Sequence, residues 1–214
     1  MAFLELFERV ADHVRRQGVK VRFERGKPLS AVAIDRARSQ AFIPIPNALG
    51  EFYAEIGDGL EFGWSSKRGD KPFASHEIPN IADIAPKSFE DVSWLTEWKD
   101  DYGFPYTDDP VLAKTTAIRM RKWFRFASEG NGDTFCLDTA ADPSPVVFNK
   151  HDWYDGGSGD NGHKVADSLF HFYSEWAQVC FQLPSSLYWP SVFREEGTGI
   201  DWSSAEFQDP FRLP

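Results

Sequence analysis

Two segments have the residue types of hydrolase motifs, but neither has the complete motif. Residues 76–80 (HEIPN) begin like the zinc-binding helix of metalloproteases, yet asparagine stands where the second histidine ligand is required and a proline interrupts the helix. Residues 156–160 (GGSGD) end in aspartate where a nucleophile elbow needs glycine, and no strand leads into them. Neither segment therefore predicts catalysis.

The acidic, glycine-rich stretch 151–163 has the composition of a cation-binding loop but not its pattern. Its aspartates do not fall at alternate positions with glycine sixth and glutamate twelfth, as a calcium-binding EF-hand loop requires. Three histidines in this part of the chain also lack a cysteine or carboxylate at a spacing that completes a zinc site. Glycine-rich phosphate loops are absent as well. The sequence predicts no metal and no cofactor.

The two cysteines are a further test for catalysis. Cys136 lies in a predicted strand and Cys180 in a predicted helix, and two isolated cysteines cannot ligate a structural zinc alone. We expect two buried thiols. A nucleophilic Cys136 would need a histidine placed beside it by the fold, and a hydrolase that uses Cys136 or an Asp/His pair stays open as an alternative. The main prediction is a protein that is not an enzyme.

The elements that would position any site are organised around residues 123–148. Three short apolar and β-branched runs are separated there by Gly, Asn, Asp and Pro, a pattern typical of an antiparallel meander. Ile118, Met120, Phe124 and Phe126 alternate with basic residues, which predicts that the first strand begins before Trp123.

Helices and shorter strands flank this meander. Apolar spacing predicts helices over residues 3–16, 30–40, 46–56 and 165–179, and a capping box at Ser88 predicts one more. Strands are expected at 19–23 and 60–64, with a looser region after the turn at 65–70. Residues 1–182 are predicted to form a single domain with an insertion at about 69–111. Residues 183–214 are expected to be an extended tail packed on that domain, because their tryptophans and phenylalanines would be unfavourable in water.

The net charge of −10 is unevenly distributed along the chain. Residues 1–126 contain 19 acidic and 19 basic residues, whereas residues 127–214 contain 14 acidic and 4 basic ones, a difference of −10. Such a segment repels nucleic acid and favours a basic partner through long-range attraction. The alternative is that these acidic loops only keep the protein soluble.

The first residues carry acids and do not resemble a signal peptide, and no apolar run approaches the roughly 18 residues of a membrane span. The sequence therefore predicts a soluble, cytoplasmic protein without a membrane partner.

Three ordered motifs carry a resemblance to a known family. The first is Ile45-Pro46, Phe52-Tyr53 and Asp58-Gly59, the second is the strand-turn-strand 126–138 followed by 145–152, and the third is the helix 166–173 (ADSLFHFY). Together they resemble the SUKH superfamily, the Smi/Knr-type immunity proteins, over about residues 30–181. Ile45 in place of Leu and Asp58 in place of Asn depart from the usual pattern.

The resemblance implies an α+β domain in which helices pack against a twisted, mainly antiparallel sheet. It also implies a non-enzymatic immunity protein that binds and neutralises a cognate toxin, often a nuclease with a basic cleft. A regulatory or scaffold module is the alternative function. Partner contacts are predicted at Asp133, Trp153, Tyr154, Asp155, Asp160, Trp189, Glu195 and Glu196.

Overall fold

A computed structural model provides the fold and describes residues 2–41, 43–66, 73–84, 110–128, 132–150, 161–194 and 198–214. Within these ranges the protein is α+β, with one antiparallel sheet of three strands and another of four. The predicted fold class is confirmed, and the strands are divided between two sheets.

The helices and strands have the following bounds. The helices are α1 (Phe3–Arg16), α2 (Ala31–Gln40), α3 (Asn47–Glu55), α4 (Ile81–Ile84), α5 (Pro110–Met120) and α6 (Leu169–Ala177). The strands are β1 (Val21–Arg25), β2 (Leu60–Ser65), β3 (Phe73–Ile78), β4 (Trp123–Ser128), β5 (Thr134–Asp138), β6 (Val146–Asn149) and β7 (Lys164–Ala166). Short 3₁₀ helices follow at Trp189–Val192 and Asp209–Phe211.

Each segment that apolar spacing predicts to be helical contains a helix. The stripe Phe3, Phe7, Val10 and Val14 of α1 is buried. The hydroxyl of Ser168 accepts a hydrogen bond from the His171 backbone N–H at 3.1 Å and starts α6. Helix α6 begins later than the predicted 165, because Val165 belongs to strand β7.

Sheet 1 consists of β1, β2 and β3 in that order. Strand β2 alternates between buried and more exposed residues, so one face of this sheet packs on the core. The prediction of a looser region after residue 70 is wrong for residues 73–78, because they form β3. Its inward side chains are Ala74, His76 and Ile78, and the histidine weakened the apolar signal.

Sheet 2 consists of β4, β5, β6 and β7 and contains the predicted meander. The expectation that its first strand begins upstream of Trp123 is wrong, because Ile118 and Met120 lie in α5. All four residues of β6 are buried, and so are the first four of β5. Burial of neighbouring residues means that both faces of these strands are covered.

Aromatic rings join the two sheets to the helices. The ring of Phe7 lies 4.6 Å from that of Phe181 and 5.6 Å from that of Phe62. On the other side of the core, Phe135 of β5 lies 4.9 Å from Phe172 of α6. These contacts make α1, α6 and both sheets share one core.

The described residues of 183–214, the C-terminal segment, pack on this core and on two sheet edges. The backbone N–H of Leu183 donates to the carbonyl of Phe73 in β3 at 3.2 Å. The N–H of Gly199 donates to the carbonyl of Lys164 in β7 at 2.7 Å. Phe211 stacks on Trp64 at 4.6 Å.

Some sequence-based predictions fall outside the described ranges. These are the helix at Ser88 and the first ten residues of the stretch 151–163. No helix in the described ranges is long and apolar enough to cross a membrane.

Candidate functional site

Three glutamates form a row across the solvent-facing side of sheet 1. Glu24 of β1 pairs with Glu61 of β2, and Glu61 pairs with Glu77 of β3, so the three residues lie directly opposite one another. The side chains of Glu24 and Glu61 are 66% and 44% exposed, and Glu77 is exposed. We call Glu24, Glu61 and Glu77 the acidic row.

The strand register brings the Cα atoms of Glu61 and Glu77 closer together than those of Glu24 and Glu61. Because the N–H of Gly26 donates to the carbonyl of Gly59 in the same register, Glu24 and Glu61 form a hydrogen-bonded pair. Residues 61 and 77 must then form a non-hydrogen-bonded pair, in which the Cα atoms are about 4.5 Å apart. Two carboxylates on neighbouring strands are therefore held side by side.

The acidic row continues into an open groove of about 410 Å³ at the end of the sheet. Asp58 and Asp83 add two more carboxylates to its lining, and Arg25 supplies a single guanidinium. Among the described lining residues, five acids therefore face one base. This groove carries a negative potential although residues 1–126 are neutral in total.

A glycine-containing turn gives the groove its shape. Gly57 and Gly59 have φ values of +129° and +93°, conformations that side-chain-bearing residues rarely adopt. A Cβ at Gly26 would overlap the backbone of Asp58, so the chain can pass this turn only with glycine there. The turn follows α3 and places Asp58 between β1 and α4.

Two hydrogen bonds tie the turn and α3 to the far wall of the groove. A carboxylate oxygen of Asp58 accepts from the backbone N–H of Ile81 at 2.8 Å. The hydroxyl of Tyr53 donates to the carbonyl of Pro79 at 2.8 Å. Burial, with the charges of Asp58 and Asp83 adding to it, raises the pKa of Tyr53. The tyrosine therefore stays protonated and acts as a donor.

Arg22 neutralises part of the acidic row. Its guanidinium Nε lies 3.0 Å from Oε1 of Glu24, and another nitrogen pairs with Glu61. The hydrogen bond with Glu24, followed by the charges of Glu24 and Glu61, raises the pKa of Arg22. Glu77 has no ion pair within the described ranges and is available to an external cation.

The other end of the same face has the opposite sign. A second open groove of about 420 Å³ lies around Gly63 and is lined by Lys20 and Arg22 together with Trp64, Ser65, Phe73 and Ala74. The charge on the solvent face of sheet 1 therefore changes sign along the strands, with acidic residues near the Gly59 turn and basic residues near Ser65. A partner would be oriented by both ends.

The described residues offer little for catalysis. Burial raises the pKa of each thiol, Cys136 and Cys180, to about 12, so neither is a thiolate near neutral pH. Burial lowers the pKa of His76 to about 3, and its Nε2 lies 2.8 Å from the hydroxyl of Tyr173 inside the core. No group of three metal-ligating side chains is placed to hold a metal ion in the part of the chain that is described.

The structure places two of the predicted contact residues inside the protein. Asp133 and Trp189 are each 2% exposed. Trp189 lies 5.0 Å from Phe135 and 5.5 Å from Trp176, as a core residue does. We therefore leave both out of the candidate contact surface. The remaining six lie outside the described residues: Trp153, Tyr154, Asp155, Asp160, Glu195 and Glu196.

Sequence reasoning missed the acidic row. The alternation in residues 60–64 does point Glu61 away from the core, and that signal was readable. Glu24 and Glu77 become its neighbours only through the register between strands that lie up to 53 positions apart in the chain, since 77 minus 24 is 53. A sequence contains no direct record of that register.

Three residues of the first sequence motif lie at this same groove: Tyr53 braces it, and Asp58 and Gly59 form its turn. The family model of the SMI1 / KNR4 family (SUKH-1) matches residues 28–175, more than half of the chain. The chain belongs to the SMI1 / KNR4 family. The resemblance predicted from the sequence is thus confirmed, while the comparison with curated proteins finds no match.

The SMI1 / KNR4 match divides the candidate site. Glu61, Glu77 and the Asp58 turn lie within residues 28–175, whereas β1 with Glu24 and Arg22 precedes them. Helix α1 and all of residues 183–214 also lie outside the match. The groove is therefore built mainly from the matched region, and β1 adds charge to one side of it.

Proposed function

We propose that this SMI1 / KNR4 family member is an immunity-type protein that binds a basic protein toxin and neutralises it by occupying its cationic surface. The observation that carries the proposal is the acidic row with its groove, where Glu61 and Glu77 lie side by side and Glu77 is unpaired among the described residues. Family membership supports an immunity-type role.

Electrostatics explain why such a surface suits neutralisation. Like charges directly opposite in a sheet destabilise it, so the acidic row lowers the stability of the free protein. A lysine or arginine from a partner relieves this repulsion and forms charge-assisted hydrogen bonds. Complementary potentials also accelerate association, which matters when a toxin must be captured before it acts.

The direct test is co-expression with a toxin domain, for which the product of the gene immediately upstream is the first candidate, scored by cell survival. Wild-type protein is expected to rescue growth and to bind the purified toxin domain with one-to-one stoichiometry in calorimetry. Cell death despite soluble immunity protein, with no binding in calorimetry, would overturn the proposal.

A second arm locates the contact surface. The double variant Glu61→Lys with Glu77→Lys is expected to slow association by about tenfold to a hundredfold at low salt. Glu51→Lys makes half of this charge change, at an exposed position of α3 that does not line the groove, and should bind normally. Asp155→Lys with Asp160→Lys tests the surface predicted from the sequence. Loss of binding only in that variant would move the site to the second half of the chain.

A further inference from the structure

Strand β1 has an open edge, unlike two other sheet edges of this protein. The C-terminal segment hydrogen-bonds to β3 through Leu183 and to β7 through Gly199. In the described ranges β1 is bonded only to β2, and no backbone bond reaches its outer side. Exposed edges are places where another strand can add, and folded proteins usually cover or charge them.

The register identifies which groups point outward. Residues 22, 24 and 26 exchange hydrogen bonds with β2, so the N–H and C=O groups of Val21, Phe23 and Arg25 face the open edge. The ring of Phe7 contacts both Phe23 of β1 and Phe62 of β2. Helix α1 therefore packs over the sheet rather than along this edge.

The sequence of β1, Val-Arg-Phe-Glu-Arg, is complementary to itself when two copies run antiparallel. If a two-fold axis passes through Phe23, Val21 faces Arg25 of the second copy and the two Phe23 residues face each other. All outward-facing groups then pair, giving about six hydrogen bonds. On the solvent face Arg22 of each copy lies opposite Glu24 of the other, as a non-hydrogen-bonded pair whose side chains are close.

The charges select this register over its neighbours. Moving the axis to residue 22 places Arg22 against Arg22, and moving it to residue 24 places Glu24 against Glu24. Directly opposite like charges are unfavourable, whereas opposite charges are favourable. A strand charged only to prevent edge pairing would carry one sign, but here Arg22 and Glu24, the two side chains that β1 places on the solvent face, have opposite signs and a spacing of two.

We propose that two copies of this chain associate through β1 as a two-fold dimer, joining their three-stranded sheets into one six-stranded antiparallel sheet. Each acidic row then ends at Arg22 of the other copy, so the second subunit extends the charged face. This proposal concerns self-association and does not depend on the toxin.

Sedimentation equilibrium and light scattering across a concentration series test the dimer. The expected result is a reversible species of twice the 24.3 kDa chain mass. A mass of one chain at all concentrations up to about 1 mM, the weakest range for a specific complex, overturns the proposal.

Charge reversals test the register. Glu24→Arg alone and Arg22→Glu alone each create two like-charge pairs, and each should raise the dissociation constant on the order of tenfold to fiftyfold. Mixing the two single variants should restore association as a heterodimer, because both cross-pairs become complementary. The double variant Arg22→Glu with Glu24→Arg should dimerise like the wild type. If neither the mixture nor the double variant recovers, the register and the proposal with it are wrong.

Two further variants separate association from folding. Val21→Pro removes an outward N–H without removing a bond to β2, and it should abolish dimerisation while circular dichroism shows a folded chain. Glu51→Arg, a reversal on the exposed surface of α3, should leave the dimer unchanged. A dimer that is insensitive to Val21→Pro and to both single reversals uses another surface, and that outcome overturns the proposal.

Discussion

The two sheets differ in how many of their faces are buried. In β2 of sheet 1, Phe62 is 2% exposed while its neighbour Glu61 has a 44% exposed side chain. In β5 of sheet 2, the neighbours Phe135 and Cys136 are both fully buried. Sheet 1 therefore presents a charged face to solvent, whereas β5 and β6 of sheet 2 are enclosed on both faces.

The part of the chain that carries the net charge is not the part that forms the charged face of sheet 1. The whole net charge of −10 arises in residues 127–214, which include β5, β6 and β7 of sheet 2, yet the row of three paired glutamates lies in the neutral first 126 residues. Cross-strand register concentrates a few carboxylates on one face, and Arg22 compensates only part of them. Local potential therefore follows from neighbours in space and not from the total charge of a segment.

The largest expected effect tests whether the C-terminal segment helps to enclose sheet 2. Trp189→Ala should lower the free energy of unfolding by about 4 kcal/mol, because a fully buried indole in contact with Phe135 is lost. Urea denaturation followed by fluorescence measures the change. The adjacent Tyr188→Ala, at a side chain 41% exposed, should cost about 1 kcal/mol or less. Equal small losses would show that the segment is dispensable for the core.

The next largest effect is a pH dependence of the free energy of unfolding, which arises from the buried His76 on the inner face of sheet 1. Burial lowers the pKa of His76 from 6.5 to about 3, so between these values the unfolded chain binds a proton that the folded chain does not. The stabilisation is complete above pH 6.5 and is lost as pH falls, by about 2 kcal/mol between pH 7 and pH 5.

Denaturation at both pH values, in wild type and in His76→Gln, measures this contribution. The variant should show a smaller loss between pH 7 and pH 5, because the remaining titrating groups are common to both proteins. An identical pH slope in the two proteins would contradict a buried neutral histidine on the inner face of sheet 1.

Neighbouring substitutions within one strand sharpen the contrast in burial. Val146→Ala and Val147→Ala in β6 should each cost about 1.5 kcal/mol, since both side chains are buried although they point to opposite faces. Glu61→Gln on the open face of β2 should change the unfolding free energy by about 0.5 kcal/mol or less. A negligible effect at one of the two valines would mean that sheet 2 has an open face as well.

The smallest effect concerns repulsion within the acidic row. Glu77→Gln should stabilise the protein by about 0.5 kcal/mol at low salt, because Glu77 lies opposite Glu61. Thermal unfolding should show this gain shrink in 1 M salt, where the Debye length is about 3 Å. Glu51→Gln, on a helix without a cross-strand neighbour, is the control and should show no such gain. Destabilisation by Glu77→Gln would indicate that Glu77 has a stabilising partner.

Much of the fold could be predicted from local patterns. The stripe of α1, the motif around Tyr53 and the meander strands β5 and β6 are encoded by residues near one another in sequence, and each formed the expected element. Strand β3 was missed because His76 replaces an apolar residue in its inward row. The alternation at residues 118–120 predicts a strand, but an alternation over only three residues also fits the end of a helix, and α5 ends there.

The candidate site was less predictable. Acidity pointed to the second half of the chain, and Trp189 was expected to contact a partner since aromatic residues often anchor interfaces. Its burial against Trp176 shows that the same residue type serves a core equally well. The sequence-based contacts at 153–160 and 195–196 remain predictions.

The sequence by itself determined the class of this protein, its family and most of its elements, because helix stripes, turn residues and motif order depend on short separations along the chain. Only the tertiary structure decided which strands are neighbours and in which register. That register placed Glu24, Glu61 and Glu77 in one row, and the strand order left β1 at an edge. Trp189 is buried by its packing in the shared core. The physical reason is that pairing between distant strands is fixed by burial of the shared core, and a shift of one residue would exchange the charged face for the apolar one.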